Sequence, residues 1–573
     1  MVRYSDGFFI IDIESNIQMN KLLVMDLTAD LDYSDLLVNQ TIKFKPTKNR
    51  AKYLFDNGFN FDSTATRFLP KLSLINDNSF QKLFPFQKEG VQKMLEMKTN
   101  VILADEMGCG KTPQASVFLK LKENSLPAII ICPASLKFNW RREIKKWCGV
   151  ESYVISGKKV ESLEKISINY PVCIINYDIL GYEDEEEKQL EKNKKKISEE
   201  SGKKYRKTLP TINGWVKELS KYNFNTIICD ECQRLGDLNT IRTRAVLQLA
   251  NTFPSAKKIM ISGTPYETRV LQLFPILKIV APNEFDNEWK FKFRYCSPIR
   301  SRFGWQFRGL SNGLELHNRL SKFMIRRLKK DVLKDLPPKI RSIIPLEISE
   351  SNLVKYRKKE LELDDYIINK NKNALAKLSE LKQLAFDVKK ESALNYIKDY
   401  LDSGKKLIVF IWHHEAYNFL INEFKDVAVS ICGDTTAKAK DKAEFEFQNN
   451  KDVKLLICNI ESAGVGLTLT ASDTVVFLEF GKTAPSMVQA EDRVNRIGQQ
   501  SECTYAQYLI FENSIDSDMM EVFNDRFAKL TEVIDGKLDE KMFKTDEDID
   551  LEIIKMYSLR KGLTKERRNA INK

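Results

Sequence analysis

The chain has 573 residues, of which 43% are hydrophobic and 30% are charged, and its formal net charge is +12. This composition excludes disorder along the whole length, and the length indicates about three or four compact units. No run of about 18 apolar residues occurs, and the first residues lack the pattern of an export signal, so we expect neither a membrane-spanning helix nor a secretory leader.

The first part of the chain is predicted to form a small module followed by an α/β unit. Residues 1–80 contain two apolar runs, FFIIDI and LLVMDL, and are expected to be a small accessory module with β-structure. From about residue 84, helical periodicity alternates with short apolar runs, which predict the strands VILAD (101–105), AIIICP (128–133), VCIIN (172–176), TIICD (226–230) and KKIMIS (257–262). Uninterrupted apolar strands separated by helices are typical of a parallel sheet covered on both faces.

The second part repeats this pattern after an interruption. Residues 282–400 are polar and mostly helical. Five further strands are then predicted, at KLIVFI (406–411), VAVSIC (427–432), VKLLICNI (453–460), TVVFLE (474–479) and TYAQYLIF (504–511). The predicted fold is α/β, with two parallel-sheet lobes. The predicted domains are an accessory module (1–80), a first lobe (81–281) with a charged insertion (183–210), helical insertions and an inter-lobe linker (282–400), a second lobe (401–535) and a charged tail (536–573).

The cysteines and histidines argue against a disulfide framework and against a zinc or histidine-rich metal site. Ten cysteines over this length do not form a disulfide framework, and several lie within apolar runs, which fits a reducing, intracellular compartment such as cytoplasm or nucleus. Cys229 and Cys232 are the only close pair. Because no second pair has zinc-ligand spacing and the chain has three histidines, we expect no zinc site.

The segment DEMGCGKT (105–112) has the context of a phosphate-binding P-loop, because it follows a predicted buried strand and opens a predicted helix. Gly108 and Gly110 would let the backbone curl so that its N–H groups face a phosphate. Lys111 would reach the β- and γ-phosphates of a nucleotide, and Thr112 would be a ligand of Mg²⁺. The alternative is a glycine-rich turn with an incidental lysine.

Two carboxylates end the strand TIICD, which we expect to lie next to the P-loop strand. At that position Asp230 would be a second protein partner of Mg²⁺, and Glu231 would orient or deprotonate the attacking water. Asp-Glu pairs are common by chance, so this prediction depends on the P-loop upstream. The turn at 262–265 ends the next strand and alone indicates only a turn.

The second lobe carries two arginines in QAEDRVNRIGQ (489–499). Arg493 and Arg496 lie three residues apart on a predicted helix and would point to the same side. Because this lobe has no P-loop, the pair would stabilise charge on a γ-phosphate held by the first lobe. The alternative is a surface pair on a solvated helix. In the catalytic interpretation, hydrolysis requires a closed cleft and phosphate release lets it open, as in a motor that steps along a polymer.

The order of the motifs resembles one protein family. It runs LFPFQKEG, DEMGCGKT, CPASLKFNW, DECQ, SGTP, IRRLKKDVLKDLPPK, GVGLT and QAEDRVNRIGQQ. This order resembles the Swi/Snf-type ATPases of helicase superfamily two over roughly residues 80–535, which implies two RecA-like lobes. KLIVFIWHHEAYNFL and SAGVGLTLTASDTVVFLE are most similar to the annealing-helicase (HARP-like) branch, and residues 50–69 faintly resemble the small module of that branch.

The resemblance implies a DNA-dependent ATPase that uses ATP and Mg²⁺ to translocate on double-stranded or branched DNA, usually without separating the strands. The residues it implies in catalysis are Lys111, Asp230, Glu231, Arg493 and Arg496. Those it implies at the nucleotide are Gln87, which would read the adenine, and Gly108, Cys109, Gly110, Lys111, Thr112 and Gln489. Those it implies at the DNA backbone, or in coupling it to the nucleotide, are Pro133, Ala134, Ser135, Gln233, Gly263, Thr264, Gly466, Leu467 and Thr468.

The sequence departs from the family pattern at several positions. Gln233 stands where a His is usual, so coupling across the lobes could be retuned. Residues 482–484 (Lys-Thr-Ala) stand where Trp-Asn-Pro is frequent, which puts the shape of that loop in doubt. Asp105 stands where the strict P-loop pattern has Gly, a departure that other helicase-like P-loops share. The N-terminal module is too divergent to indicate a preferred DNA structure.

A basic run beside LPPK is the expected DNA contact, with a structural linker between the lobes as the alternative. Its members are Arg326, Arg327, Lys329, Lys330, Lys334 and Lys339. The net charge favours a polyanionic partner, but only weakly, since many proteins are mildly basic. A strand-separating helicase and an ATP-gated nucleic-acid-binding protein with little turnover stay open as alternative functions. We expect a monomer.

Overall fold

The structure is a computed structural model. It describes residues 2–5, 8–12, 31–32, 41–44, 75, 77–162, 170–201, 208–266, 269–301, 304–307, 309–333, 336–369, 373–463, 467–535 and 549–563. These residues belong to two compact units, 1–96 and 97–573. Within the described ranges, no helix is long and apolar enough to cross a membrane. All ten cysteines are free thiols.

The first unit contains an antiparallel sheet with the strand order β1-β2-β4-β3. Its elements are β1 Val2–Ser5, β2 Phe8–Asp12, β3 Leu31–Asp32, β4 Thr41–Phe44, α1 Asn78–Gln81 and α2 Pro85–Glu96. The sheet confirms the prediction of β-structure in residues 1–80, with β2 formed by most of FFIIDI. The run LLVMDL and the segment 50–69 lie outside the described residues.

Lobe 1 is built on a parallel sheet in the second unit. The strands in this part of the chain are β5 Val101–Leu103, β6 Ala128–Cys132, β7 Ser152–Val154, β8 Val172–Asn176, β9 Tyr182–Glu183, β10 Ile212–Asn213, β11 Thr226–Asp230, β12 Lys257–Ile261, β13 Pro298–Ser301, β14 Gly304–Phe307 and β15 Met324–Ile325. Seven of them form the sheet, in the order β15-β5-β12-β11-β6-β8-β7. Its central strands are fully buried, as continuous apolar runs require when helices cover both faces.

The strand order corrects one prediction. The Asp-Glu strand β11 does not lie next to the P-loop strand β5, because β12 pairs with both and separates them. All three strands run parallel, so their carboxyl ends still meet at one edge of the sheet. The P-loop, the Asp-Glu pair and the turn at 262–265 follow these three ends. The prediction was wrong because the sequences of the strands do not show which strands pair as neighbours in the sheet. That order depends on the path of the chain between them.

The helices of lobe 1 differ widely in burial. They are α3 Lys111–Leu121, α4 Lys137–Glu143, α5 Tyr177–Leu180, α6 Glu185–Ser201, α7 Trp215–Leu219, α8 Ile241–Thr252, α9 Leu273–Val280, α10 Glu288–Tyr295, α11 Gly313–Leu320 and α12 Lys329–Val332. The sequence LFPILKIV makes α9 almost entirely buried, whereas the charged insertion forms α6, which has no buried residue. The charge run is therefore a solvated face.

Lobe 2 contains a second parallel sheet, in the order β16-β21-β20-β17-β19-β18. Its elements are β16 Lys339–Pro345, α13 Glu350–Ile368, α14 Ala374–Asp402, β17 Leu407–Ile411, α15 His414–Glu423, β18 Ala428–Ile431, α16 Ala437–Asn449, β19 Leu455–Asn459, α17 Ile460–Ala463, β20 Thr474–Phe477, α18 Ala484–Glu491, β21 Thr504–Ile510, α19 Ile515–Asp535 and α20 Ile549–Arg560. Two parallel sheets with flanking helices confirm the predicted fold class.

The segment between the lobes contributes a strand to each sheet. β15 pairs with β5 at the edge of lobe 1, and β16 pairs with β21 at the edge of lobe 2. The short stretch between these two strands contains most of the basic run, so the run is held at both ends by backbone pairing. The domain boundaries expected from the sequence stay predictions.

Candidate active site

The P-loop backbone has the curl that its glycines permit. Gly108 and Gly110 have φ angles of +85° and +70°, a region that residues with a side chain rarely adopt. α3 begins directly after Gly110. The amine of Lys111 donates to the backbone carbonyls of Asp105 at 2.8 Å and Glu106 at 3.3 Å. The lysine therefore folds back over the loop whose N–H groups would hold a phosphate.

Gly263, in the turn after β12, leaves the space that this lysine occupies. A Cβ atom on Gly263 would lie 2.6 Å from Cγ of Met107 and 3.3 Å from Nζ of Lys111. Any side chain at this position would push into the P-loop. The turn therefore touches the phosphate loop, a contact that the motif alone did not reveal.

Asp230 is a buried carboxylate at the end of β11. Its Oδ2 accepts a hydrogen bond from the indole N–H of Trp140 at 2.8 Å, and its Oδ1 accepts one from the backbone N–H of Glu231 at 3.0 Å. Burial raises the pKa of Asp230, and the neighbouring Glu231 carboxylate raises it further. Trp140, in α4 after β6, fixes the orientation of this carboxylate. No local pattern in CPASLKFNW indicates that its tryptophan contacts Asp230.

Glu231 has an unusual backbone and an ordered side chain. Its φ of +50° lies in the left-handed region, which in a residue with a side chain often marks a functional site. The amide of Gln233 donates to Glu231 Oε2 at 2.8 Å and accepts from the hydroxyl of Ser262 at 2.7 Å. That hydroxyl in turn accepts from the N–H of Thr264 at 3.0 Å. A chain of hydrogen bonds thus joins Glu231 to the turn at 262–265, entirely within lobe 1.

The two arginines lie beyond the end of a helix and not within one. α18 ends at Glu491, and Arg493 and Arg496 occupy the turns that follow, which corrects the predicted helical placement. Their side chains nevertheless reach the same segment: Arg493 donates to the carbonyl of Leu467 at 3.0 Å and Arg496 to the hydroxyl of Thr468 at 3.3 Å.

These arginines face the P-loop of the other lobe. A Cβ atom on Gly108 would lie 3.7 Å from Cγ of Arg496. Burial lowers the pKa of both arginines, and the carboxylate of Glu231 acts in the opposite direction on each. The catalytic carboxylate predicted in lobe 1 and the arginines predicted in lobe 2 therefore lie within electrostatic reach of each other.

Asp105, the departure from the strict P-loop pattern, is held in a buried ion pair. Arg327 donates through Nε to its Oδ1 at 2.9 Å, and Gln114 donates to its Oδ2 at 2.9 Å. The preceding residue, Arg326, donates to the carbonyls of Ala104 and Gly263 at 2.8 and 2.9 Å. Both arginines of the basic run are thus bound to the loops of the candidate site.

Lys329 connects the P-loop to residues 492–496, which contain Arg493 and Arg496 and which we name the arginine segment. Its backbone N–H donates to a carboxylate oxygen of Glu106 at 2.8 Å, and its amine forms an ion pair with Asp492 at 3.0 Å. A Cβ atom on Gly108 would lie 3.0 Å from Cε of Lys329. The same amine donates to the carbonyl of Asn495 at 3.1 Å. A single side chain therefore contacts both lobes at the phosphate loop.

Three more charges complete this group, which we name the linker ion cluster; its members are Lys329, Lys339, Arg341, Glu491 and Asp492. Lys339 pairs with Glu491 and Asp492 at 2.8 and 2.9 Å, and Arg341 donates to Glu491 at 2.7 Å. Both carboxylates are almost completely buried. Despite that burial, the surrounding cations hold the pKa of each carboxylate below its usual range.

The linker ion cluster changes the interpretation of the basic run. Four of its six cations, Arg326, Arg327, Lys329 and Lys339, are bound to protein groups, which favours the structural-linker alternative over a DNA contact. Lys330 is exposed, and Lys334 lies outside the described residues. The sequence analysis missed Asp492 and Glu491, although a carboxylate pair directly before two arginines was a visible signal.

The other predicted site residues lie in several surroundings. Gln87, in the first unit, is buried and accepts from the N–H of Phe84 at 3.0 Å. Gln489 is buried in α18. Cys109 is buried in the P-loop, and burial raises the pKa of its thiol to about 12.

Pro133, Ala134 and Ser135, which the resemblance implies at the DNA backbone, directly follow β6. Thr112, the expected Mg²⁺ ligand, lies in the first turn of α3. Gly466 lies outside the described residues.

The loop that lacks Trp-Asn-Pro is ordered by other contacts. The amine of Lys482 lies 5.5 Å from the ring centre of Trp412, and the hydroxyl of Thr483 caps α18. Ala484 begins that helix. The loop therefore carries the helix of the arginine motif in spite of its different sequence.

The residues at this edge fit a nucleotide with Mg²⁺. The two positive-φ glycines and the helix N-terminus of α3 form a backbone cradle that a Cβ atom would fill. Asp230 is a buried carboxylate at the end of β11, on the same edge of the sheet as the P-loop. Carboxylate and hydroxyl oxygens, as on Asp230 and Thr112, are ligands that Mg²⁺ prefers.

Comparison with known proteins agrees with these features. The family model described as SNF2-related domain matches residues 86–398, and the one described as Helicase conserved C-terminal domain matches residues 390–498. The chain is 29% identical over 488 residues to a Caenorhabditis elegans SWI/SNF-related matrix-associated actin-dependent regulator of chromatin subfamily A-like protein 1 homolog, covering 82% of this chain and 65% of that one.

Two further similarities are to a human protein and to a solved structure. The human DNA annealing helicase and endonuclease ZRANB3 is 29% identical over 482 residues, covering 81% of this chain and 42% of that one. The Sulfolobus solfataricus SWI2/SNF2 ATPase core in complex with dsDNA is 22% identical with a TM-score of 0.36, covering 81% of this chain and 97% of that one. The chain thus spans between about two fifths and two thirds of the length of these curated relatives. Because the SNF2-related match covers more than half of its residues, the chain belongs to the SNF2-related family, the Swi/Snf-type ATPases of helicase superfamily two.

Proposed function

We propose that this protein is a DNA-dependent ATPase that translocates on double-stranded DNA and remodels branched DNA by annealing or displacement. The observation that carries the proposal is the meeting of the two lobes at the P-loop, where Arg496 and Lys329 approach Gly108. Relatives named as annealing helicases support the choice of DNA and of annealing. The cycle would use ATP as substrate, with Mg²⁺ as its metal.

The nucleotide would lie on the P-loop of lobe 1. The N–H groups around Gly108 and Gly110 would hold its phosphates, and Lys111 would exchange its two carbonyl partners for phosphate oxygens. Thr112 and Asp230 would hold Mg²⁺, which when bound neutralises phosphate charge. Gln87 would contact the adenine, as the family resemblance implies.

Activation of the attacking water would depend on lobe 1, and stabilisation of the developing charge on two arginines of lobe 2. Glu231 would orient and deprotonate the attacking water, with the amide of Gln233 fixing one of its oxygens. Arg493 and Arg496 would stabilise the charge that develops on the transferred phosphoryl group. Because Arg493 is buried and Arg496 is partly buried, their charge would act through a medium less polar than water and therefore strongly.

Two chains of contacts would couple this chemistry to DNA. In lobe 1, Glu231 is joined through Gln233 and Ser262 to Thr264. In lobe 2, the arginines bind Leu467 and Thr468, beside Gly466. The residues proposed to contact the DNA backbone, or to couple it to the nucleotide, are Pro133, Ala134, Ser135, Gln233, Gly263, Thr264, Gly466, Leu467 and Thr468. A shift at the γ-phosphate would thus reach DNA in both lobes.

The test compares ATP hydrolysis by the purified protein with linear duplex, forked DNA, single-stranded DNA and RNA. We expect stimulation by linear and forked duplex, and loss of turnover in Lys111→Ala. Absence of stimulation by any duplex contradicts the proposal. Unwinding of a tailed duplex without reannealing indicates a strand-separating helicase instead, and nucleotide-dependent DNA binding with negligible turnover indicates an ATP-gated binding protein.

A further inference from the structure

Lobe 1 carries a group of large aromatic side chains on its surface, which we name the aromatic platform; its members are Trp289, Phe293, Trp305 and Phe307. Trp289 and Phe293 belong to α10, and Trp305 and Phe307 to the hairpin strand β14. Ring centres are 4.9 Å apart for Phe293 and Trp305 and 5.8 Å apart for Trp289 and Phe307. The four rings therefore form one continuous surface.

The helix α10 separates its aromatic residues onto two faces. Phe291 and Tyr295 are buried in the core of lobe 1, where Phe291 packs on Phe274 at 5.4 Å between ring centres. Trp289 and Phe293 lie one turn apart and remain 57% and 41% exposed. The core is thus complete without the outward pair.

The hairpin of β13 and β14 covers the outward pair only partly. In its antiparallel register Phe307 lies opposite Pro298, and Trp305 lies opposite Arg300. Cross-strand neighbours share one face of a sheet, so the Arg300 side chain belongs to the same face as the two rings. Trp305 is nevertheless 48% exposed. A contiguous exposed group of three large aromatics is uncommon unless a ligand covers it.

Positive charge is placed among these rings. The amine of Lys292 lies 5.3 Å from the ring centre of Trp289 and 5.9 Å from that of Phe307. Arg300 is exposed beside Trp305. Aromatic faces interleaved with cations are what single-stranded nucleic acid binds, since bases stack on the rings while the cations meet the phosphates.

The platform borders the opening between the lobes. Glu288 and Lys292 of α10 line a cavity of about 790 Å³, whose other wall includes Trp412 and Lys482 of lobe 2. A DNA strand that leaves this opening past Lys292 would reach the aromatic platform.

We propose that the aromatic platform binds unpaired bases of single-stranded DNA next to a branch point. This inference rests on the proposed function, because it assigns the part of a branched DNA substrate that the motor recognises besides its duplex. Bases would stack on Trp289 and Trp305, with Lys292 and Arg300 close to the phosphates. The site would favour forks over blunt duplex without reading sequence, since every base has a stacking face.

The experiment measures binding of a fluorescein-labelled oligo(dT) of about 16 nucleotides by anisotropy, together with ATP hydrolysis on blunt duplex and on forked DNA. The variants are Trp305→Ala, Trp289→Ala and the conservative Trp305→Phe, with Phe445→Ala as matched control because Phe445 is 64% exposed on α16. We expect each alanine variant to lose about tenfold in oligo(dT) affinity and to lose the preference for forks. Trp305→Phe should keep most of both, and hydrolysis on blunt duplex should not change.

The outcomes separate this inference from the proposed function. Unchanged oligo(dT) affinity in both alanine variants overturns the platform as a base-binding site, even where blunt duplex still stimulates hydrolysis. If those variants instead abolish self-association in sedimentation, the platform is a protein interface and the inference is also overturned. A wild-type protein that duplex does not stimulate contradicts the proposed function, whereas its oligo(dT) affinity still tests the platform.

Discussion

The linker ion cluster consists of charged side chains that are mostly buried, whereas the aromatic platform consists of apolar rings that are largely exposed to solvent. Both lie in or beside the stretch 282–400, which the sequence predicted to be polar and helical. In the cluster, Lys329 and Asp492 are buried at a contact between the lobes. In the platform, Trp289 and Trp305 face solvent. Folded proteins usually bury rings and expose charges, so each inversion indicates a function that outweighs its cost in stability.

The two regions differ in how firmly their side chains are held. Buried charges are restrained by partners on several elements, because an unpaired charge in the interior is strongly destabilising. The cluster can therefore hold the arginine segment in one position against the P-loop. Exposed rings are held only from one side and remain available to a ligand.

The largest effect is expected at the arginine segment. Arg496→Ala should lower the turnover number for ATP by about 10³-fold, because the side chain that approaches the P-loop supplies charge only in the transition state. Nucleotide affinity, measured with a fluorescent ATP analogue, should remain close to wild type. Arg300→Ala, assayed with blunt duplex, is the control in which an exposed arginine is removed. Equal turnover in the two variants would contradict the role of Arg496.

The second effect concerns the stability of the cluster. Asp492→Ala leaves Lys329 and Lys339 without their shared carboxylate, and the free energy of unfolding should fall by about 3–5 kcal/mol. The melting temperature, measured by calorimetry, should fall by several degrees. Asp286→Ala is the matched control, because its pair with Lys290 is exposed at 3.5 Å and should contribute under about 1 kcal/mol. Similar melting temperatures for both variants would mean that the buried pair is not structural.

Asp492 also makes the stability contributed by the linker ion cluster depend on pH, and the sign of that dependence follows from the direction of its pKa shift. Its folded-state pKa is lowered by Lys329 and Lys339, so its stabilising contribution is complete above the ordinary value of about 3.9 and is lost as the pH falls below it. Asp492→Ala should therefore differ less from wild type in melting temperature at pH 3.5 than at pH 7. A constant difference across this range would refute the linkage.

The third effect contrasts two phenylalanines of one helix. Phe291→Ala should lower the free energy of unfolding by about 3 kcal/mol, because the side chain is almost completely buried and the core would keep a cavity. Phe293→Ala, two residues along α10, should cost under about 1 kcal/mol, since its ring is partly exposed. Chemical denaturation of both variants measures the difference. Equal losses would show that the platform is part of the core.

The smallest effect is expected at a charge pair outside the cluster. The Nδ1 atom of His413 lies 2.5 Å from Glu479, which raises the pKa of the histidine. A raised folded-state value means that this stabilisation is complete below about pH 6.5 and is lost as the pH rises through the folded-state pKa. The melting temperature should therefore drop between pH 6 and pH 8 by more in wild type than in His413→Gln. An identical drop in both would remove the pair as a pH-dependent element.

Sequence analysis predicted the parts of the site that are formed by neighbouring residues. The P-loop was predictable because strand, glycines, lysine and helix follow one another within residues 101–121. The contacts that could not be predicted join residues that are far apart in the sequence. Arg327 pairs with Asp105 across 222 positions, and no local pattern distinguishes that partner from a DNA phosphate. Likewise, the helix before Arg493 ends where Asp492 and Asn495 are bound by the linker.

Local sequence patterns were enough to define the type of secondary structure and the phosphate-binding loop, because uninterrupted apolar runs require burial on both faces and glycines at fixed offsets permit one backbone curl. Long-range contacts were needed to establish that β12 separates β5 from β11, that four of the six cations of the basic run are bound to protein groups, and that two of the aromatic residues of α10 face outward. The physical reason is range: hydrogen bonds and periodicity act over a few residues, whereas burial and charge pairing depend on which distant segments the fold brings together.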